Sequence, residues 1–201
     1  SSAASDVYKR QDSKLEDFSD FFKCGDLIWT SKEEGLKGLK SIAVHPEVQS
    51  ALVSINPTNG EILALVGGYN FKNSQFNRAF QAKPQLGSNF KPFLYAAAFE
   101  NGFNPASIII DSPLVFEDKN LEEIWRPRNA SGKFYGPTRL REALVQSRNI
   151  VSIKLLQEVS IKSTKNSLEK YGFFKEELPN DLSLALGSYG ASPLKNAEMF
   201  S

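Results

Sequence analysis

Cysteine and histidine are scarce in this chain, and their scarcity excludes several classes of site. Cys24 is the single cysteine, so neither an internal disulfide nor a Cys-x-x-Cys metal site can form. His45 is the single histidine, which excludes a zinc site with several imidazole ligands and leaves any Ser-His-Asp triad dependent on it. We expect His45, which precedes Pro46, to be structural or exposed. The sequence therefore predicts no metal and no cofactor, and it favours a mechanism whose base is lysine.

Long apolar runs and a strong net charge are also missing. No stretch of about eighteen apolar residues and no signal peptide occurs, so the sequence predicts no membrane span within it. The formal net charge of +1 gives no argument for binding nucleic acid or an anionic membrane surface. Basic residues do cluster in one region, and a solvated surface is the favoured interpretation of Arg126, Arg128, Lys133, Arg139, Arg141 and Arg148.

The pattern Ser-x-x-Lys occurs three times, and context separates the copies. They are Ser88/Lys91, Ser167/Lys170 and Ser192/Lys195. Ser167 lies in a polar run that predicts a solvated helix face, whereas Ser192 precedes a proline, as a helix N-cap residue does. Ser88 alone follows a glycine and opens a helix that is apolar nearly all round. Such a helix must be buried, and this makes Lys91 near its start energetically expensive.

Two interpretations of Ser88 stay open on this evidence. A spacing of three positions places Ser88 and Lys91 on one helix face, where the amine could activate the hydroxyl as a nucleophile. Alternatively, Ser88 is only a helix N-cap.

A second cluster, Ser147-Arg148-Asn149, favours the nucleophile. It interrupts two predicted helices, one over 138–146 with Thr138 as its cap and one over 149–159. A hydroxyl there can relay a proton, and a carboxamide can hold a peptide group by donating and accepting at once. The other Ser-x-Asn copy, Ser54 to Asn56, ends a predicted strand at a turn.

Together these motifs resemble the transpeptidase domain of class A penicillin-binding proteins, most closely the 1A type of Gram-negative bacteria. The residues that carry the resemblance are QLGSNFKPF at 85–93, SRN at 147–149, WRPRN at 125–129 and LALGS at 184–188. The family also has a Lys-Thr-Gly motif on a later strand, and no such string occurs here. We expect that the chain stops before that strand.

The resemblance implies a fold and a domain organisation. It implies the α/β (α+β) fold of serine β-lactamases and transpeptidases, a central antiparallel sheet flanked by helices, incomplete at the C-terminus. Residues 45–201 are expected to be the N-terminal part of the transpeptidase domain. Residues 12–44 would be the end of a small β-rich insert similar to an oligonucleotide/oligosaccharide-binding domain, and residues 1–11 would be non-native.

The resemblance also implies an activity and its residues. Ser88 would be acylated by a D-Ala-D-Ala stem peptide of peptidoglycan or by a β-lactam, Lys91 and Ser147 would move protons, and Asn149 would bind the stem-peptide backbone. The parent protein would be anchored at the periplasmic face of the bacterial inner membrane, carry a glycosyltransferase and work with cell-wall synthesis partners, and the fragment alone would be inactive. Two alternatives remain: a β-lactam-binding sensor or non-catalytic module, and a D-Ala-D-Ala carboxypeptidase or β-lactamase on the same fold.

Local patterns predict the remaining elements. A hairpin is expected over 50–66 with its turn at 57–60, and the apolar strand 62–66 is expected to be buried on both faces. Further helices are expected over 88–101, over 164–171 with Gly172 as the stop, and over 192–199, after a short apolar segment at 182–186.

Overall fold

The computed structural model describes residues 25, 29–34, 40–43, 48–114 and 125–201. The chain divides into two units, one comprising Ser1–Ser50 with Tyr69–Phe71 and the other comprising Ala51–Gly68 with Lys72–Ser201. In the first unit, β1 (Trp29–Glu34) pairs with β2 (Lys40–Ala43) in antiparallel fashion. The expectations for Cys24, His45 and residues 1–11 lie outside the described residues, and the domain boundaries stay a prediction.

The second unit begins with the hairpin that the sequence predicts. Strand β3 (Leu52–Ile55) pairs antiparallel with β4 (Ile62–Val66), and Gly60 closes the turn with a φ of +73°. The expected burial of β4 on both faces is wrong, because Leu63 is 62% exposed and Val66 is 52% exposed. In the described part of the chain this sheet has two strands, so β4 has one neighbouring strand and its side chains have little to pack against.

The predicted apolar helix at the Ser88 motif is confirmed and lies in the core. A 3₁₀ turn, Gly87–Phe90, leads directly into α1 (Lys91–Glu100), and Pro92 lies in the first turn, where its missing N–H costs nothing. The buried residues of α1 are Lys91, Phe93, Leu94, Tyr95, Ala97 and Ala98.

The segment before Ser147 differs from the prediction. Thr138 is not a helix cap: it lies in β6 (Gly136–Arg139), which pairs antiparallel with β5 (Ile108–Asp111). Helix α2 (Leu140–Val145) therefore begins later than expected. Helix α3 (Asn149–Val159) has the bounds that the sequence predicts.

Helix α4 (Ile161–Leu168) begins earlier than the predicted position 164. It continues as a 3₁₀ turn, Glu169–Tyr171, and ends as predicted at Gly172, which has a φ of +81°. Its polar run has a solvated face at Lys162, Asn166, Glu169 and Lys170, but Ser167 is not part of that face, because Ser167 is 7% exposed and Thr164 is 0% exposed. The reason is that α4 packs against α1, so these small polar side chains lie at a helix interface.

The last segment matches its predictions. The apolar stretch Leu182–Leu186 forms a 3₁₀ turn, and α5 spans Pro193–Phe200. The Ser192 hydroxyl accepts a hydrogen bond of 3.2 Å from the Lys195 N–H, so the third of the three Ser-x-x-Lys copies is a helix cap. Within the described residues, helices and short antiparallel strand pairs thus make up a mixed α/β unit, which confirms the predicted class.

Candidate active site

The backbone before Ser88 is fixed by the segment that follows the Leu182–Leu186 turn. The Gly87 N–H donates to the Gly187 carbonyl at 3.0 Å, and the Leu86 N–H donates to the Tyr189 carbonyl at 2.9 Å. Gly87 and Gly187 both have positive φ angles, +55° and +71°. The two backbones approach so closely that a Cβ atom at position 187 would collide with the Gly87 carbonyl group. Glycine at 187 therefore allows the contact that holds the turn carrying Ser88.

The capping interpretation of Ser88 is wrong. The 3₁₀ turn has Leu86 as its N-cap and α1 has Phe90, and neither helix has a side-chain cap. The Ser88 hydroxyl instead accepts a hydrogen bond of 3.0 Å from the hydroxyl of Ser147, 59 positions along the chain. The side chain thus contacts the second motif rather than its own helix.

Lys91 is buried against the same second motif. Lys91 is 1% exposed. Its amine donates to the Ser147 carbonyl at 2.7 Å, to the Ser147 hydroxyl at 2.9 Å and to Asn149 Oδ1 at 2.8 Å. Among the described residues no carboxylate forms an ion pair with this amine. Burial removes water from the charged form and lowers the pKa of Lys91 from 10.5 to about 8. A useful fraction of the amine is therefore neutral near physiological pH.

Ser147 makes two contacts to Lys91 because of its backbone conformation. It lies between α2 and α3 with a φ of +52°, a region that residues other than glycine rarely occupy. The Ser147 N–H donates to the Leu144 carbonyl at 3.0 Å and the Arg148 N–H donates to the Ala143 carbonyl at 2.8 Å, so the end of α2 holds this turn. In this conformation both the carbonyl and the hydroxyl oxygen of Ser147 face the buried amine. Strained backbone of this kind is concentrated at functional sites.

Asn149, the first residue of α3, is bonded at both ends of its amide group. Its Oδ1 accepts from Lys91, and its Nδ2 donates to the Arg128 carbonyl at 2.9 Å. Asn149 thus contacts a peptide group of the chain itself, and its expected role in binding the stem-peptide backbone stays a prediction. The contact between Lys91 and Asn149 was missed at the sequence level, because no local pattern predicts which acceptor a buried amine will find 58 positions away.

Three of the four side chains, Lys91, Ser147 and Ser88, form a continuous path for a proton. A lysine ammonium has three donors, and the three oxygens around Lys91 satisfy all of them. When the amine is neutral, it keeps two donors and gains a lone pair that can accept from the Ser147 hydroxyl. Ser147 can then accept from Ser88. Deprotonation of Lys91 therefore reverses the hydrogen bonds of both hydroxyl groups and makes Ser88 a stronger nucleophile.

The surface interpretation of the basic cluster is correct for five of its six members. Arg126, Arg128, Lys133, Arg139 and Arg141 are exposed. Arg148 differs, since it is half-buried and its guanidinium carbon lies 3.4 Å from the centre of the Tyr135 ring, a cation–π contact.

Two other kinds of feature are missing from the described part of the chain. No group of three or more His, Cys, Asp or Glu side chains is arranged to hold a metal ion there. None of the helices described there is both long enough and apolar enough to cross a membrane.

Comparison with known proteins identifies the family. The model of the penicillin-binding protein transpeptidase domain matches residues 50–194, the part of the chain that contains the four clustered side chains. The chain belongs to this family. The resemblance seen in the sequence is therefore confirmed.

Individual relatives agree with this assignment. Over 183 residues the chain is 45% identical to penicillin-binding protein 1A of Pseudomonas aeruginosa. The aligned region covers 91% of this chain and 22% of the relative. Over 179 residues it is 40% identical to penicillin-binding protein 1A of Escherichia coli, covering 89% of this chain and 21% of the relative. The chain thus spans about a fifth of the length of these curated relatives.

Solved structures show the same fold. The crystal structure of penicillin-binding protein 1A from Haemophilus influenzae superposes with a TM-score of 0.78 at 38% identity, covering 86% of this chain and 25% of that one. The penicillin-binding protein PonA1 from Mycobacterium tuberculosis superposes with a TM-score of 0.62 at 26% identity, covering 74% of this chain and 42% of that one. The expected fold of penicillin-binding transpeptidases, related to that of serine β-lactamases, is confirmed.

Proposed function

We propose that the full-length protein to which this chain belongs is a serine-type peptidoglycan D,D-transpeptidase in which Ser88 is the nucleophile. The observation that carries the proposal is the hydrogen-bonded path from the buried Lys91 amine through Ser147 to Ser88, with distances of 2.9 Å and 3.0 Å. A serine hydroxyl is a weak nucleophile without a base, and a buried lysine with a lowered pKa supplies one.

The first step is acylation. Ser88 Oγ attacks the carbonyl carbon between the two D-alanines of a stem peptide, its proton passes to Ser147, and the Ser147 proton passes to the neutral amine of Lys91. The backbone N–H of Ser88 is the proposed donor to the oxyanion of the tetrahedral intermediate. When the C–N bond breaks, the proton returns from Lys91 through Ser147 to the leaving amine. Free D-alanine and an ester on Ser88 result.

The second step runs the same path again. An amine of a neighbouring peptidoglycan strand attacks the ester carbonyl, and Ser147 with Lys91 takes its proton. The C–O bond to Ser88 then breaks, the Ser88 oxygen is reprotonated, and a new amide cross-links the two strands. No group on the enzyme is consumed, so the site is ready for another donor peptide.

A β-lactam enters this scheme as a stand-in for the D-Ala-D-Ala amide. The similar structure of PonA1 has also been solved in complex with penicillin V, at 27% identity and a TM-score of 0.61. We propose that β-lactams acylate Ser88 by the same proton path. A long lifetime of this ester would distinguish the site from that of a β-lactamase, which needs an additional base to activate water for hydrolysis of the ester.

The setting of the reaction is proposed on the likeness to the 1A relatives. The full-length protein would be anchored in the inner membrane with this domain on the periplasmic side, where peptidoglycan is assembled. It would also carry a glycosyltransferase and act with partners of cell-wall synthesis.

Labelling with a fluorescent penicillin, followed by a chase and peptide mapping by mass spectrometry, tests the proposal on the full-length protein. We expect one long-lived adduct on the peptide that contains Ser88, and none in Ser88→Ala. Ser192→Ala is the matched control, since Ser192 belongs to another Ser-x-x-Lys copy and caps α5, and it should label normally.

The labelling experiment separates two of the alternatives, and an assay of the reaction products separates a third. A non-catalytic module would not label, and a β-lactamase would lose the label rapidly during the chase. Labelling of Ser88→Ala at the wild-type rate would contradict the assignment of the nucleophile. A carboxypeptidase would be recognised by release of D-alanine without formation of cross-linked product.

A further inference from the structure

Two buried polar residues outside both motifs connect the β5–β6 sheet to the start of α3. Asp111 ends β5 and is 1% exposed, and Asn129 is 5% exposed. The amide nitrogen of Asn129 lies 2.9 Å from each carboxylate oxygen of Asp111 and 2.9 Å from the Lys133 carbonyl oxygen. Both N–H groups of this amide therefore have acceptors, which fixes the plane and the orientation of the side chain.

The other end of the Asn129 amide holds the helix that carries Asn149. Asn129 Oδ1 accepts a hydrogen bond of 3.2 Å from the N–H of Ile150, in the first turn of α3. The preceding carbonyl, that of Arg128, accepts from Asn149 Nδ2 at 2.9 Å. Consecutive residues of the 125–129 segment thus hold consecutive residues at the beginning of α3.

This arrangement determines which end of the Asn149 amide faces the base. An amide group is planar, with its nitrogen and oxygen on opposite sides, so fixing Nδ2 on the Arg128 carbonyl directs Oδ1 towards Lys91, 2.8 Å away. A flipped Asn149 amide would point its N–H donors at the Lys91 amine, which is itself a donor at that position. Movement of the 128–129 segment would remove the constraint that prevents the flip.

We propose that Asn129 and Asp111 are positioning residues for acylation, because together they hold the Arg128 carbonyl and the first turn of α3 where Asn149 presents its oxygen to Lys91. Asn129 acts through Asn149 and Ile150, and Asp111 acts through Asn129. Neither residue contacts Ser88. The inference rests on the proposed function, since it concerns how the proton path to Ser88 is held.

Acylation kinetics on the full-length protein separate this role from a purely structural one. Dependence of the labelling rate on fluorescent penicillin concentration yields the dissociation constant of the initial complex and the rate constant of acylation within it. We expect Asn129→Ala to lower the acylation rate constant about tenfold, since small displacements of catalytic groups have effects of that size, while the dissociation constant changes less than about twofold.

Asn180→Ala is the matched control. Asn180 Oδ1 accepts from the buried Lys165 amine at 2.7 Å, so this variant also loses an asparagine that satisfies a buried polar group, but away from the site. It should lower the labelled fraction or the unfolding temperature and leave the acylation rate constant unchanged. If Asn129→Ala behaves in the same way as Asn180→Ala, the positioning role is contradicted.

A second pair of variants tests the contact if Asn129→Ala does not fold. Asn129→Asp places two carboxylates side by side, whereas the double variant Asp111→Asn with Asn129→Asp restores a donor facing an acceptor. We expect the double variant to acylate at least about threefold faster than Asn129→Asp. No recovery would contradict the inference. Labelling of Ser88→Ala would instead contradict the proposed function, so the two failures are distinguishable.

Discussion

The hydroxyl oxygen of Ser147 lies 2.9 Å from the Lys91 amine. The same oxygen lies 3.0 Å from the Ser88 hydroxyl, so Ser147 lies between the proposed base and the proposed nucleophile. The spacing of three positions predicts that Lys91 lies on the same helix face as Ser88, where the amine could take the hydroxyl proton directly. In the structure the hydrogen-bonded route passes through the second motif instead. Acylation of Ser88 should therefore require the Ser147 hydroxyl as well as the Lys91 amine.

Ser147→Gly tests this dependence without disturbing the backbone. Glycine adopts the φ of +52° at this position readily, so the Ser147 carbonyl contact to Lys91 is kept and only the hydroxyl is lost. We expect the second-order rate constant for penicillin acylation to fall about 100-fold, within the usual range for loss of acid–base catalysis.

The control for this variant is Ser183→Ala, which removes another serine pair, the 2.7 Å contact between the Ser183 and Ser188 hydroxyls. It should acylate at the wild-type rate. Wild-type acylation by Ser147→Gly would show that Lys91 takes the proton of Ser88 without a relay.

Lys91 should make the stability of the protein depend on pH in a definite direction. Its pKa is about 8 in the folded state and near 10.5 when unfolded, so between these values the unfolded chain binds more protons and stability rises with pH. Below about pH 8 the folded protein contains a buried ammonium, which is unfavourable. Relative to Lys91→Met, wild type should gain about 1 kcal/mol in free energy of unfolding between pH 7 and pH 9.

Thermal unfolding of both proteins at several pH values measures this gain, because titrations elsewhere cancel in the comparison. A difference between the two proteins that stays flat over this interval would mean that the folded state does not lower the pKa of the amine to about 8.

Gly187 should be far less tolerant of alanine than Gly132, although both have positive φ angles, +71° and +69°. An added Cβ at 132 meets no atom within 4 Å, whereas at 187 it collides with the backbone of Gly87. Both variants suffer backbone strain of about 1 kcal/mol, and Gly187→Ala should lose about 2 kcal/mol more from the clash.

Unfolding temperatures compare the two glycine variants directly, and penicillin labelling reports on the turn that holds Ser88. Equal destabilisation by the two substitutions would show that the close approach of positions 87 and 187 does not support the nucleophile turn.

Local patterns predicted the helices that carry the site. The apolar run after Ser88, the break at 147–148 and the Ser192 cap all follow from short-range rules of periodicity and capping, and α1, α3 and α5 confirm them. The same rules failed where the neighbour of an element is distant in sequence. Thr138 has the residue type of a cap, but pairing with Ile109 makes it part of a strand. Ser167 lies in a polar run, but α1 covers it.

The residue types of the site could be predicted from the sequence, but the hydrogen bonds that join them could not. Spacing and context selected Ser88, Lys91, Ser147 and Asn149, and the structure brings all four together. The bonds that join Asn149 to Lys91 and to Arg128 depend on how α1, α3 and the 125–129 segment pack. Tertiary packing of this kind has no local sequence signature.

The most direct test of the proton path is the pH dependence of penicillin acylation by the full-length wild-type protein at low penicillin concentration. Under that condition the rate constant reports the pKa of the base in the free enzyme. The account predicts a rise of about tenfold per pH unit up to about pH 8, the pKa of the buried Lys91 amine, and a plateau above it. A rate that continues to rise past about pH 10, as an amine with the ordinary pKa of 10.5 would require, would contradict it.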